Sequence, residues 1–141
     1  MSSGNSFQLE TADRLHSAAI RLLRLVRSED AQSGIGPAQL SALSVLVFGG
    51  AKTVSELALL EQVRPPTMSR IVDGLVQKKL VQRVEDETDR RTVRVSTTAK
   101  GEKLMLAGKE RRVKALAARF KGLTAADVKT LHSAADLMLR L

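Results

Sequence analysis

Residues 53–78, TVSELALLEQVRPPTMSRIVDGLVQK, constrain the fold more than any other stretch of the chain. Thr53 followed by Glu56 is a capping-box pattern, in which the hydroxyl accepts from the third helical amide and the carboxylate reaches back to the cap amide. A short helix, VSELALLE, follows. A brief turn at Gln62-Val63-Arg64 leads to Pro65-Pro66, and the prolines suit the opening of a new helix that runs to about Lys78. In that second helix Met68, Ile71, Val72, Leu75 and Val76 recur at helical spacing, so one face must pack on a core. Two short helices joined by a tight turn make a helix-turn-helix candidate.

The opposite face of the second helix carries Pro66, Thr67, Ser69, Arg70, Asp73 and Gln77. Short side chains let a helix backbone approach a base edge, and an arginine reaches a guanine or a phosphate. An ordinary solvated face would also be polar, and the charge of the whole chain discriminates. That charge is +8 over 141 residues, with a pI near 10.4, which points to a polyanionic partner. There is no Trp or Tyr, and Phe7, Phe48 and Phe120 are the only aromatic residues. Single-strand binders stack bases on aromatic platforms that this chain cannot build, so duplex DNA is favoured. Arg64, Pro66, Thr67, Ser69 and Arg70 are the expected major-groove residues.

Beyond Lys78, VQRVE (81–85) and TVRVS (92–96) alternate valine with polar residues, the period of half-buried strands. The DETDRR between them is a hairpin tip. A β-ribbon placed directly after a helix-turn-helix can act as a wing that lays an arginine, here Arg90, into a minor groove. An arginine so placed reads groove width and A·T richness. The tip also holds the densest acidic run of the chain, Glu85, Asp86, Glu87 and Asp89, directly beside Arg90 and Arg91.

The remaining sequence reads as helix. Residues 7–29 form an amphipathic helix with Leu15, Ala19, Leu22, Leu23 and Val26 on one stripe. SGIGP breaks it, Pro37 opens PAQLSALSVLVF, and the glycines at 49–50 close that helix. TTAKGEKLMLAGKERRVKALAARF (97–120) is a long helix, and Thr124 with Asp127 caps the last one, VKTLHSAADLMLRL. KERRVKALAARFK (109–121) is expected to be a solvated face with Val113, Leu116, Ala117 and Phe120 turned inward. The leading MSSGNS has no apolar anchor and is expected to be disordered. Apolar surface at Leu15, Leu22, Val26, Leu131, Leu137, Leu139 and Leu141 exceeds the need of single-faced helices and suits packing against a second copy.

The order of elements, VSELALLEQVRPPTMSRIVDGLVQKKLVQRV and then DETDRRTVRVSTTAKG, resembles the MarR family of winged helix-turn-helix regulators. The resemblance covers nearly the whole chain and joins a recognition helix, a D-R-R wing and a T-x-x-G helix start. It implies a mainly α fold with a small β-hairpin, in which the winged helix-turn-helix is flanked by N- and C-terminal dimerisation helices. It implies a single domain over 1–141, with dimerisation helices at 7–30 and 99–141, a DNA-binding lobe at 37–98 and a wing at about 81–96. By the resemblance Arg91 pairs with Asp73 and ties the wing to the recognition helix, leaving Arg90 free. Arg70, three residues before Asp73, is the local alternative. Asp89 and the neighbouring acids would brace the arginines. Gln62 and Lys79 stand where the family often has glycine, so each is expected to be left-handed, at a cost of roughly 1 kcal/mol.

The expected function is therefore that of a homodimeric repressor binding a pseudo-palindromic duplex site. The resemblance further implies release by a small effector, such as an anionic aromatic, with Arg21, Arg24 and His16 as candidate contacts. A ligand-independent DNA-binding protein and a winged-helix protein-interaction module are the alternatives. With no cysteine there is neither a disulfide nor a thiol switch. His16 and His132 have no ligands grouped around them in sequence, and no phosphate loop exists, so neither metal, cofactor nor enzymatic activity is expected. No leader or membrane span is legible, which suggests the cytoplasm. The final apolar pattern stops in mid-period at Leu141, as it would if the natural chain continued.

Overall fold

The computed structural model describes residues 3–141. Eight regular elements follow in order: α1 (Ser3–Arg27), α2 (Pro37–Gly49), α3 (Val54–Leu60), α4 (Pro65–Gln77), β1 (Val81–Glu85), β2 (Val93–Thr97), α5 (Ala99–Ala118) and α6 (Ala125–Met138). Single 3-10 turns occupy Ser28–Ser33 and Arg119–Gly122. Of the terminus expected to be disordered, Met1 and Ser2 lie outside the described residues, whereas Ser3–Ser6 are helical. The long amphipathic run behind them extends α1 backwards through residues of low helix propensity.

The chain divides into two compact units, Glu29–Arg111 and the pair of terminal segments up to Ser28 and from Arg112 to Leu141. Every fully buried apolar residue belongs to the first: Ala42, Leu43, Leu46, Leu57, Ala58, Met68, Val72, Leu75, Leu80, Val81, Val95 and Met105. At the centre is α2, opened by Pro37 and closed by Gly50, whose φ of 81° lets its amide return to the Leu46 carbonyl. Helix α4 and strand β2 pack against it, with α3 and β1 packed on α4. Full burial of Met68, Val72 and Leu75, each worth roughly 1.5–3 kcal/mol, fixes which face of α4 remains outside.

Both helices of the helix-turn-helix end in the same way. Gln62 (φ 55°) and Lys79 (φ 59°) are the two non-glycine residues with left-handed backbone among those described. After α3 the Gln62 amide donates to the Leu59 carbonyl and the Val63 amide to the Ala58 carbonyl. After α4 the Lys79 amide donates to Val76 and the Leu80 amide to Leu75. These paired returns are Schellman motifs, and they turn Val63 and Leu80 inward onto the core.

The ribbon is antiparallel, with Val81 opposite Thr97 and Glu85 opposite Val93. Lys52 adds a one-residue bridge to Val95 on the outer side of β2, through bonds of 3.1 and 2.7 Å. At the base of the ribbon Thr98 caps α5: its hydroxyl accepts from the Gly101 amide at 3.1 Å and donates to the Lys79 carbonyl at 2.7 Å. Gly101 is buried, and a Cβ there would overlap the Leu80 carbonyl oxygen. The T-x-x-G start of α5 is thus a close backbone crossing that only glycine permits.

The terminal unit is built differently. None of its described residues is fully buried. Leu22, Leu131, Leu137, Leu139 and Leu141 are exposed, and Leu15 and Val26 are half-buried. Val113 and Ala117, expected to turn inward, are also exposed, while Leu116 and Phe120 are half-buried.

Candidate nucleic-acid interface

The capping box expected at Thr53 is present, with the Glu56 amide donating to Thr53 Oγ1 at 3.1 Å and the Thr53 amide to Glu56 Oε2 at 3.0 Å. The Gln62 turn then carries the chain into α4, which Arg64 precedes in extended conformation with Pro65 at its first position. Two consecutive prolines remove two of the amide donors that a helix N-terminus usually offers to an anion. The N-terminus of α4 is thus left with fewer amides for an anion, and the side chains of its outer face carry more of the available polar chemistry. On it Arg64, Pro66, Thr67 and Arg70 are exposed and Ser69 is half-buried. Among the described residues none of these side chains has a hydrogen-bond or ion-pair partner.

Asp73 lies on the same helix, exposed, and its partner corrects the expectation. The carboxylate is bound by Arg83 of β1, not by Arg91 or Arg70. The reason lies in the path of the chain. The left-handed turn at Lys79 sends β1 back along α4, and alternation from the buried Val81 puts Arg83 on the α4 side of the ribbon. Arg91 sits in the turn at the far end, where its amide donates to Asp89 Oδ1 at 3.0 Å. The signal was available in sequence as the parity of Val81 and Arg83, but Val84 offers a competing phase.

The acidic run has two tasks. Asp86 Oδ1 accepts from the Thr88 amide at 2.9 Å and from the Thr88 hydroxyl at 2.8 Å, while Oδ2 accepts from Arg94 Nε at 2.9 Å. Asp89, expected to brace arginine side chains, instead accepts from the Arg91 amide and from the Thr92 hydroxyl at 3.2 Å. The turn closes through the Asp86 amide to Thr92 and the Thr92 amide to Asp89. The two aspartates therefore build the bend that the arginines ride on. The Thr88 amide, with the Arg94 guanidinium after it, holds the Asp86 carboxyl well below its ordinary value. Arg90 is exposed at this tip, without an ion-pair partner among the described residues.

Arg94 was not singled out by sequence. It is half-buried on β2, and besides Asp86 it reaches Glu56 Oε2 at 3.5 Å. Asp86 in turn raises the Arg94 guanidinium above its ordinary value. Arg94 stands opposite Val84, and Arg83 opposite Val95, so the two arginines leave opposite faces of the ribbon. One ties it to α4 and the other to α3.

Residues 33–92, which span the helix-turn-helix and the tip of the ribbon, match the MarR family. A transcriptional regulator of the helix-turn-helix type, Mb0904 of Mycobacterium bovis, is 39% identical over 130 residues, covering 92% of this chain and 91% of that one. The chain belongs to the MarR family of transcriptional regulators. Similarity extends to the transcriptional repressor MdtR of Bacillus subtilis, 36% identical over 92 residues, covering 63% of this chain and 57% of the repressor. A solved MarR family protein from Bacillus stearothermophilus superposes with a TM-score of 0.78 at 26% identity, covering 99% of this chain and 96% of that one.

In this MarR protein the winged helix-turn-helix combines three local features. A wing with both faces anchored precedes a glycine-dependent crossing, and the recognition helix opens on two prolines. Among the described residues no helix is long and apolar enough to cross a membrane, and no three metal-ligating side chains gather.

Proposed function

We propose that this protein is a dimeric repressor that binds a pseudo-palindromic site on duplex DNA. The observation that supports it best is the division of labour among the arginines. Arg83 and Arg94 are engaged by carboxylates, whereas Arg64, Arg70 and Arg90 are exposed and unpaired among the described residues. Free guanidinium groups next to the small groups of Pro66, Thr67 and Ser69 suit a helix laid in a major groove. Pairing by Arg83 neutralises Asp73, which would otherwise repel the phosphates beside that groove. Arg90 is the minor-groove residue, favouring A·T-rich flanks.

In this reading the lobe of residues 37–98 binds DNA, and residues 7–30 and 99–141 pair with a second copy. The exposed Leu22, Leu131, Leu137, Leu139 and Leu141, with Leu15 and Val26 beside them, are apolar surface of the kind that a dimer removes from water. A two-fold dimer presents two recognition helices to half-sites about one duplex turn apart. Repression is supported by the likeness to MdtR. Release by a small anionic aromatic effector would use Arg21 and Arg24 of α1, both exposed and unpaired among the described residues, with His16 nearby on that helix.

Selection from random duplexes at near-physiological salt tests the reading. Enrichment of an inverted repeat is expected. Enrichment of nothing, with binding that fades uniformly as salt rises, would leave only non-specific charge attraction and the reading would be abandoned.

A further inference from the structure

We propose that Arg94 is a positioning residue that sets where Arg90 meets the DNA, by bracing the wing against the first helix of the helix-turn-helix. The proposal rests on the duplex-binding reading and deepens it. A continuous chain of hydrogen bonds and charge contacts runs from the Thr53 amide to Glu56, from Glu56 to Arg94, from Arg94 to Asp86, and from Asp86 to the Thr88 amide. It begins at the cap of α3 and ends in the turn that carries Arg90, two residues beyond Thr88.

Three features make this a brace rather than a surface ion pair. The Arg94 side chain is 39% exposed and Asp86 only 19%, so the pair is screened less than most. The guanidinium spends separate nitrogens on carboxylates from two elements, which a fixed fork can do and a lysine ammonium on a flexible stem does poorly. Arg94 also leaves the face of the ribbon opposite to Arg83, whose bond to Asp73 holds the other side. With one face held, a two-stranded ribbon can still twist away from its helix. With both faces held, the tip has one direction. Arg94 itself, committed to two acids, is not the DNA contact.

The discriminating variant is Glu56→Gln. Glutamine serves a capping box as glutamate does, so α3 keeps its cap while the charge contact to Arg94 is lost. The full-length variants Glu56→Gln, Arg94→Ala, Arg90→Ala and Arg90→Ala/Arg94→Ala are titrated on the duplex selected by wild type, flanked by A·T or by G·C pairs. Wild type is expected to prefer A·T flanks by roughly five- to tenfold, the scale of one lost base-level contact. Glu56→Gln and Arg94→Ala should lose most of that preference, stay within about twofold of wild type on G·C flanks, and add nothing to Arg90→Ala. An unchanged thermal midpoint for Glu56→Gln excludes unfolding as the cause.

General electrostatics predicts the opposite for Glu56→Gln, because removing an acid from a DNA-binding face should tighten binding on every duplex. Tighter binding with the flank preference intact would overturn the brace and leave the duplex-binding reading standing. Additive losses for Arg90→Ala and Arg94→Ala would make Arg94 a contact in its own right and overturn it as well. If wild type selects no duplex, both readings fail together.

Discussion

Asp73 of the recognition helix is paired with Arg83 of the first wing strand, and this pair ties one face of the wing to that helix. It does so near the base of the ribbon, one turn before α4 ends. It also spares Arg91 for the tip. With Arg94 engaged on the opposite face, the wing is anchored to both helices of the helix-turn-helix.

The pair can be measured by a double-mutant cycle on stability. Its side chains are 38% and 57% exposed, so a coupling of about 0.2–1 kcal/mol between Asp73→Ala and Arg83→Ala is expected in chemical denaturation. No coupling is expected between Asp73→Ala and Arg91→Ala. Coupling to Arg91 instead would contradict the assignment.

Gly101→Ala should destabilise the fold by about 1–3 kcal/mol. The added Cβ meets the backbone carbonyl of Leu80, which cannot move aside without disturbing the turn at Lys79. Gly122→Ala is the control. A Cβ at Gly122 meets nothing within 4 Å, and the change should stay within about 0.5 kcal/mol. Thermal melts of the two variants separate the cases.

Local rules made much of this legible. The two capping boxes and the proline that opens α2 follow from residues a few positions apart, and all are present; the left-handed Gln62 and Lys79, also present, were expected from the family resemblance. The partners of Arg94 were not legible, and the parity that turns Arg83 toward Asp73 competed with the phase set by Val84, because both depend on the register of the ribbon and on the direction in which it leaves α4. The Lys52 bridge to Val95 was hidden for the same reason: one residue carries no period. The 3-10 turn at Ser28–Ser33 had only polar residues and Ala31 to announce it, and those fit a loop equally well.

Asp86 should titrate below the ordinary aspartate value of 3.8, because its charged form receives the Thr88 amide and the Arg94 guanidinium. Its folded pKa is depressed, so its contribution to stability is present above 3.8 and is lost only as pH falls through the lowered value. The wing turn is thus expected to stay intact at pH 4. Carboxyl carbon shifts followed by NMR from pH 6 downward check this. An Asp86 midpoint at or above 3.8 would contradict it.

Arg70→Ala and Arg90→Ala should differ in kind. Loss of a base contact by Arg70 is expected to cost about 1–3 kcal/mol and to relax specificity at one position of each half-site. Loss of Arg90 should weaken binding chiefly where the flanks are A·T-rich. Competition titrations with single-substituted duplexes distinguish the two. Equal loss on all sequences for Arg90→Ala would remove its minor-groove role.

The most direct measurement is a hydroxyl-radical footprint of the full-length protein on the duplex it selects. The account predicts two protected half-sites about one duplex turn apart, each with an outer minor-groove protection that disappears in Arg90→Ala while the inner protection remains. A single protected site, or an Arg90→Ala footprint identical to that of wild type, would contradict it.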